Sequence, residues 1–572
     1  SIRTRLYRGF WLEMRGYNKK VMKVLVISQT VFSKTSNMGK TLTSYFTGFR
    51  PDELAQLYFH SEKPTNPDVC QNYYRFSDVD ALKSIFSSKR EGTKIEASDI
   101  CSCDQSARID TGISRKAYKV GSKHKAWVLL LRDLIWRLSR WNNAQLLQWV
   151  DDVKPDVIFF ASGDGAFSYR IAKKIKERIN VPMVMACVDD YYLNNRNKSE
   201  FLGEFRQKIF LKSVKKTVAD VDEIFTICDT MNAAYTELFG KKCRTLHTSA
   251  EFKELKIRTD ADQVSYIGNV GYNRYKQLLD LGKAISKISC GNTPHHIDVF
   301  SGSINEEYIT PLKSAAGIVF HGSVPASDVP KIMENSVAVI HTEAYNKEIQ
   351  NLVRFSVSTK IAESLMYGPC LIAYGPEGIA SIDYLKENNA AYVITRPEDL
   401  ESGLTEILTN AALREQIIKN ARALAARNHN ADVNPKKVRE WLENIVNDNE
   451  NRKGILMMLE TPVVLLMFKR ERIVDIIERL RVVKPRKLYL VSDGGRTEKE
   501  QEQVDFCRKL AENAIDWECD VVKRYAESNK GVFDNIAGGA KWVFEREETA
   551  IFLEDDNLPE VSFFQYCEEM LA

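Results

Sequence analysis

The chain contains no apolar run of about 18 residues, so none of it reads as a membrane span, and its first residues carry no secretory signal. Cys-x-x-Cys pairs and a His-Glu-x-x-His motif are also missing, which removes the usual dithiol and zinc sites. Eleven cysteines are present, standing singly apart from Cys101-Ser-Cys103. An odd, scattered set fits a reducing compartment better than a disulfide framework and predicts a cytoplasmic protein. Only eight histidines occur, and the adjacent pair His295-His296 behind Pro294 reads as a solvated loop rather than a metal site. Gly39-Lys40-Thr41 has the ending of a phosphate-binding P-loop, but Lys34 stands where that loop needs its first glycine.

What is present is ordinary globular composition, 44% hydrophobic and 28% charged over 572 residues, enough for about three domains. The net charge of +4 hides a polarity. Residues 1–22 hold six Lys/Arg against one Glu, and residues 115–140 hold eight against one Asp. In the second segment Trp127, Leu131, Leu134, Leu138 and Trp141 follow a helical stripe, with Arg132, Trp136, Arg137 and Arg140 on the other faces. Two readings stay open: an amphipathic helix lying on an anionic membrane surface, or a helix docked on a sheet with a solvated rim. Nucleic acid is not expected, since no nucleic-acid module accompanies the charge.

Strand and helix patterns alternate along the chain. Lys23 to Ser28, Val157 to Ala161, Val181 to Cys187 and Glu223 to Cys228 read as buried strands, each followed by a loop or a helix, which predicts a mostly parallel sheet. Asp164, Asp189 and Asp190 follow two of these strands and are candidate catalytic carboxylates, because ligands bind at such strand ends. Aspartates there also cap helices. A second set of strands runs through Ile297–Phe300, Gly317–Phe320, Val337–His341, Cys370–Tyr374 and Ala391–Ile394.

The most specific stretch is Phe355-Ser-Val-Ser-Thr-Lys-Ile-Ala-Glu363, which leads through Gly368 into an apolar strand and Gly375-Pro-Glu. Ser358 and Thr359 begin a helix whose positive end favours an anion, and Lys360 adds a full charge. Glu363, three residues on, shares its face. A cation for a diphosphate and a carboxylate for a ribose diol would thus point into one cleft.

This segment resembles the donor-binding signature of GT-B glycosyltransferases of the family 4 type, and Glu363 matches the acidic residue that binds the donor ribose. The partner Glu expected eight residues earlier is Phe355, and Glu343 partly compensates. That family opens its second domain with a strand and a Gly-rich turn, which Val264 to Arg274 resembles through Gly268, Asn269, Gly271 and Arg274. The resemblance implies that Arg274 and Lys360 clamp the donor diphosphate, that Gly39 lies near the phosphates, and that no metal cofactor is needed in this cleft. It also implies an α/β fold of two Rossmann-like domains facing across a cleft.

Past residue 446 the polar stretch Asn447 to Gly454 reads as a linker. Beyond it, strands ending in Asp493 and in Glu554-Asp555-Asp556, with Asn529-Lys-Gly531 between them, resemble the nucleotide-binding half of a GT-A, family 2-like glycosyltransferase. The resemblance implies that Asp493 and Asn529 bind the nucleotide, and that Glu554, Asp555 and Asp556 hold Mg²⁺ or Mn²⁺, hard cations that prefer oxygen ligands. With only 16 residues after Asp556, a truncated GT-A domain is expected, and a start upstream of the natural one.

The expected organisation is a basic extension (1–21), an acceptor-side domain (22–250), a donor domain (251–430), a crossover helix (431–446), a linker (447–454) and the partial GT-A domain (455–572). The expected function is transfer of a sugar from a nucleotide-diphosphate sugar, of UDP or GDP type, to a saccharide or lipid-linked acceptor in bacterial cell-surface polysaccharide or glycolipid synthesis. The expected location is the cytoplasm or the inner membrane face. The alternatives are a non-catalytic sugar-nucleotide-binding scaffold at the membrane, or a GT-B nucleotide-sugar epimerase.

Overall fold

A computed structural model of the protein describes residues 21–33, 37–87, 91–95, 99–100, 125–194, 201–255, 262–290, 293–456, 458–559 and 561–571. The basic extension, Cys101-Ser-Cys103 and the basic residues 115–123 lie outside them. Residues 1–446 and 447–572 form two compact units.

The first unit begins with β1 (Val24–Ser28), whose five residues are all buried. A strand apolar on both faces belongs at the centre of a covered parallel sheet. β1 pairs in parallel with β2 (Leu54–Tyr58) on one side and β5 (Val157–Ala161) on the other. With β3 (Asn72–Arg75), β4 (Thr93–Ile95), β6 (Met183–Cys187), β7 (Glu223–Thr226) and β8 (Cys243–Thr245) the spatial order is β4-β3-β2-β1-β5-β6-β7-β8. Only the β3–β4 ladder is antiparallel. β2 escapes a hydropathy reading because it carries Gln56, fully buried yet satisfied. Gln56 Oε1 accepts from Phe32 N at 3.0 Å, and its Nε2 donates to Ser28 Oγ at 2.8 Å.

After β9 (Gln263–Ile267) and the short ribbon β10 (Ser289–Cys290) and β11 (Thr293–Pro294), the second sheet continues with β12 (Ile297–Phe300), β13 (Ile318–Gly322), β14 (Ser336–Thr342), β15 (Cys370–Tyr374) and β16 (Tyr392–Ile394). Its order, β13-β12-β9-β14-β15-β16, is the doubly wound 3-2-1-4-5-6 arrangement. In both sheets the winding reverses beside the first strand, between β1 and β5 and between β9 and β14, and crevices for ligands open there. These are two Rossmann-like parallel-sheet domains.

The chain crosses between them at a buried joint. Ala250 N donates to the His429 carbonyl at 2.8 Å, Ala431 N returns a bond to the Ala250 carbonyl, and Asn434 Nδ2 donates to the carbonyls of His247 and Asn428. The helix Asn434–Leu456 then lays Val438, Leu442 and Ile445 on the first domain, and Arg439 bonds Glu53 at 2.6 Å. Residues 447–454, the expected polar linker, continue this helix.

The helix Ala126–Leu138 docks on the first sheet, but not by the expected stripe. Ala126, Leu129, Asp133 and Trp136 are its buried positions, with Trp136 stacked on Phe167 at 4.1 Å, while Trp127, Leu131, Leu134 and Leu138 are exposed. Trp136 wins the core because its indole N–H also donates to Asp78 at 2.6 Å. Among the described residues no helix is long and apolar enough to cross a membrane.

In the second unit β17 (Val463–Met467), β18 (Lys487–Ser492), β19 (Asp520–Tyr525) and β20 (Ile551–Glu554) form a parallel sheet in the order β19-β18-β17-β20. Its reversal point lies between β17 and β20, so Asp493 and Asp555 both follow strands at its ligand-binding edge.

Candidate active site

On the donor side β9 ends in a turn that closes on itself. Asn269 Oδ1 accepts from Gly271 N at 2.8 Å, and Tyr266 OH donates to the Asn269 carbonyl at 2.7 Å. Tyr272 and Asn273 then adopt left-handed backbone, at φ 53° and 60°. Two consecutive non-glycine residues in that region are strained and persist only where neighbours enforce them. They deliver Arg274 to the start of the helix Arg274–Ile285.

Arg274, the expected diphosphate clamp, has a carboxylate partner within the protein. It forks onto Glu343, which follows β14, donating from Nη2 to Oε1 at 2.8 Å and to Oε2 at 3.0 Å. The carboxylate is 1% exposed and the guanidinium 17%. Burial pushes the Glu343 carboxyl above its ordinary value, while Arg274 opposes that rise. His341 Nε2 lies 3.5 Å from the same carboxylate, yet burial and the Arg274 charge press the imidazole down to about 3, so it is neutral. The expected compensation by Glu343 for a missing acid therefore takes the form of a buried anchor for Arg274. It was invisible in sequence because it joins residues 69 positions apart.

Lys360 stands at the end of β9. Ser358 caps the helix Thr359–Tyr367, its Oγ accepting from Lys360 N at 3.4 Å, and Lys360 Nζ donates to the Ile267 carbonyl at the end of β9, 3.0 Å away. Desolvation of the ammonium, with Arg274 adding repulsion and Glu363 opposing, holds it below the ordinary lysine value although the stem is exposed. Glu363 is half-buried one turn further in, and Thr359 is exposed. Phe355, where a second acid is expected, is buried and packs into the first domain, 6.4 Å from Tyr235, while its carbonyl accepts from Cys228 Sγ. The ligand-binding edges of the two sheets thus meet beside the donor helix.

On the acceptor side the three aspartates separate. Asp190 is 3% exposed: its Oδ1 accepts from Tyr192 N and Leu193 N at 3.0 Å and from Tyr235 OH at 2.8 Å, and its Oδ2 has no partner among the described residues. It is a turn and anchor residue, not a group presented to substrate. Asp189, partly exposed, accepts from Asp190 N at 2.9 Å. Asp164 lies between two arginines, with Arg132 Nη1 4.0 Å from its carboxylate and Arg206 donating to its carbonyl. Sequence reading missed Gln29, directly after β1. Its buried Nε2 has no partner among the described residues, and it lies so close that a Cβ on Gly163 would come within 2.4 Å. Its position at a strand end was the available signal.

At Gly39 packing alone leaves no room for a side chain. A Cβ there would fall 2.6 Å from the Ser33 Cβ and 2.7 Å from the Val31 carbonyl.

In the second unit Asp493, the residue expected to hold a base, accepts four hydrogen bonds within the protein. Oδ1 accepts from Gly494 N at 2.9 Å and Lys530 N at 2.7 Å, and Oδ2 from Asn529 Nδ2 at 2.9 Å and Gly531 N at 3.0 Å. The carboxylate orders the Asn529–Gly531 loop. At the acidic turn Arg470 forms ion pairs with Asp556 and, at 3.7 Å, with Asp555, whose Oδ2 also accepts from Phe468 N at 2.8 Å. Glu554 is exposed. Among the described residues no three His, Cys, Asp or Glu converge as metal ligands. The Mg²⁺ or Mn²⁺ expected there would have to displace the half-exposed Arg470, whose single charge offsets only part of the pair.

Residues 292–440 match the model of a family described as glycosyl transferase-like. That part of the chain, most of the second domain with the return into the first, is glycosyltransferase-like. No curated protein matches the sequence. Among solved structures, sucrose-phosphate synthase from Thermosynechococcus elongatus aligns at 9% identity and TM-score 0.46, covering 74% of this chain and 100% of that one. HepE from Anabaena, in complex with UDP and glucose, aligns at 12% identity and TM-score 0.46 over the same shares. MurG from Acinetobacter baumannii aligns at 10% identity and TM-score 0.39, covering 73% of this chain and 99% of that one.

Proposed function

We propose that residues 22–446 transfer a sugar from a nucleotide-diphosphate sugar, of UDP or GDP type, to a saccharide or lipid-linked acceptor held between the two sheets. The observation that carries this reading is the donor helix start: Ser358, Thr359 and Lys360 sit at the ligand-binding edge of a doubly wound sheet, with the Lys360 ammonium against the end of β9. Backbone N–H groups and the ammonium receive the diphosphate and stabilise the charge that grows as the glycosidic bond breaks. Glu363 takes the ribose diol. Arg274, fixed by Glu343, orients the turn at Gly268 and Asn269. On the opposite edge Asp164 and Asp189 face the acceptor hydroxyl, and Gln29 offers it an amide donor. The cleft supplies its own positive charge, so transfer proceeds in EDTA.

A lipid-linked acceptor places this activity in cell-surface polysaccharide or glycolipid assembly, at the inner face of a membrane. The second unit is read as a nucleotide-binding, GT-A-like module, which would make the chain bifunctional.

Donor consumption with and without added acceptors, across UDP- and GDP-sugars, tests the reading. Turnover that requires acceptor and disappears in Lys360→Ala supports it. Interconversion of the donor sugar without acceptor would make the protein an epimerase, and tight donor binding with no turnover would make it a scaffold.

A further inference from the structure

The exposed stripe of the helix Ala126–Leu138 does not end with that helix. Its neighbour Gly203–Val218 packs directly against it and buries Gly203, Arg206, Phe210 and Val214 toward the sheet. That leaves Phe205 and Ile209 outside, with Phe201 and Leu202 just before them. Phe201 is 79% exposed, Phe205 56%, Leu134 50% and Leu138 59%. Two adjoining helices therefore turn six large apolar side chains to solvent, and the two residues before the second helix add two more, an uncommon concentration for a protein surface.

The charged residues around these side chains are mostly basic, with Glu204 the exposed exception on the second helix. Lys208 and Lys212 lie on the same face of the second helix as Phe205 and Ile209, by their spacing of three, four and seven, and Arg137 follows the stripe of the first; all three are exposed. Gly203–Val218 carries five Lys/Arg against one Glu. We propose that this two-helix face docks on an anionic lipid bilayer, the apolar side chains entering the headgroup–acyl boundary and the lysines meeting lipid phosphates. A bilayer satisfies both features at once, because Lys stems lie along apolar surface while their ammonium groups stay in the headgroup layer. A protein partner would need fixed carboxylates set around an apolar patch.

The inner sides of both helices converge on one loop. Arg132 from the first reaches the Asp164 carboxylate, Arg206 from the second donates to the Asp164 carbonyl, and Asp133 Oδ1 accepts from Phe167 N at 3.1 Å. The docking face is thus braced against the acceptor-side strand end, and a lipid-linked acceptor would enter beside it. This last step rests on the function proposed above, whereas vesicle binding does not.

The test is flotation of the full chain with vesicles of phosphatidylcholine alone or mixed with phosphatidylglycerol. The wild type should bind the mixed vesicles, less so as salt rises. Lys208→Gln with Lys212→Gln and Arg137→Gln should weaken partitioning by about a hundredfold at low salt, from about 1 kcal/mol per charge. Leu131→Gln, Leu134→Gln, Phe205→Gln and Ile209→Gln together should abolish binding with the unfolding temperature unchanged, these side chains being exposed. Equal binding by either variant overturns the proposal, as does failure of the wild type to bind. A wild-type dimer in sedimentation that the apolar variant converts to monomer also overturns it, making the face a contact between copies. If vesicles bind but no sugar transfer is found, the docking face stands and the proposed function falls.

Discussion

Lys360 and Arg274 carry the same charge at one site, but burial gives them different tasks, and substitution separates those tasks. Lys360 leans on a carbonyl, so Lys360→Ala leaves no charge unpaired. It should weaken nucleotide-diphosphate binding by about 1.5–3 kcal/mol, the scale of a charge-assisted hydrogen bond, with an unchanged melting curve. Calorimetric titration checks this, and undiminished affinity would remove Lys360 from the site. Arg274→Ala instead strands a buried carboxylate. Breaking one partner of such a pair costs about 3–5 kcal/mol, so the variant should unfold at markedly lower temperature. Adding Glu343→Gln should restore much of that loss, because the uncompensated charge disappears with it. A melting temperature that Arg274→Ala leaves unmoved would mean the pair contributes nothing to the fold. Ser358, Thr359 and Lys360 were legible in the sequence because a helix start is local. The capture of Arg274 by Glu343, and of Asp493 by Asn529–Gly531, was not, since each depends on segments brought together by sheet winding.

At the scale of elements, strands that are apolar on both faces read correctly: β5 and β15 are found as expected, because burial on both faces leaves a continuous hydrophobic run. β3, β4 and β8 were missed. They are short strands of three or four residues bearing Arg, Lys or Thr, where pairing rather than pattern fixes the strand. The helix Ala126–Leu138 was legible in existence and not in orientation, since both of its faces are apolar and only the Trp136–Phe167 stack decides which is buried. The turn after β20 shows the same limit: three acids in a row suggest a cation, and the arginine that meets them comes from the end of β17. Arg470→Ala should therefore strengthen cation binding at this turn. Mn²⁺ affinity, followed by paramagnetic resonance, is expected to rise by about tenfold, or about 1.4 kcal/mol. Equal affinity in both proteins would show that Arg470 does not compete for the acidic pair.

Taken as one body, residues 1–446 depend on histidines kept neutral inside them. His341 lies at the Arg274–Glu343 pair. His429 sits in the joint between the domains, where its Nδ1 donates to the Thr248 carbonyl at 2.7 Å and its Nε2 accepts from Tyr384 OH at 2.9 Å, with the buried ring of His247 5.3 Å away. Burial holds His341 at about 3 and His429 at about 4, and lowers His247 as well. A histidine that is harder to protonate when folded binds more protons in the unfolded chain. Its effect is absent above the ordinary value of about 6.5 and erodes stability as pH falls from there toward the folded value. For His429 that is up to about 3 kcal/mol, from roughly 1.4 kcal/mol per unit. Glu53 and Glu223, held low by Arg439 and by Arg244 with Lys242 although burial alone would raise them, add to the loss once pH drops below their ordinary range. Glu343 and Asp133, raised by burial, act in the opposite direction. The net expectation for this unit is a stability that is level near neutrality and falls steeply between pH 6.5 and 4. His429→Asn keeps an amide N–H for the Thr248 carbonyl while removing the titrating ring, so denaturant titrations across that window should show a shallower slope in the variant. Parallel slopes would mean that the joint opens to water before the imidazole charges.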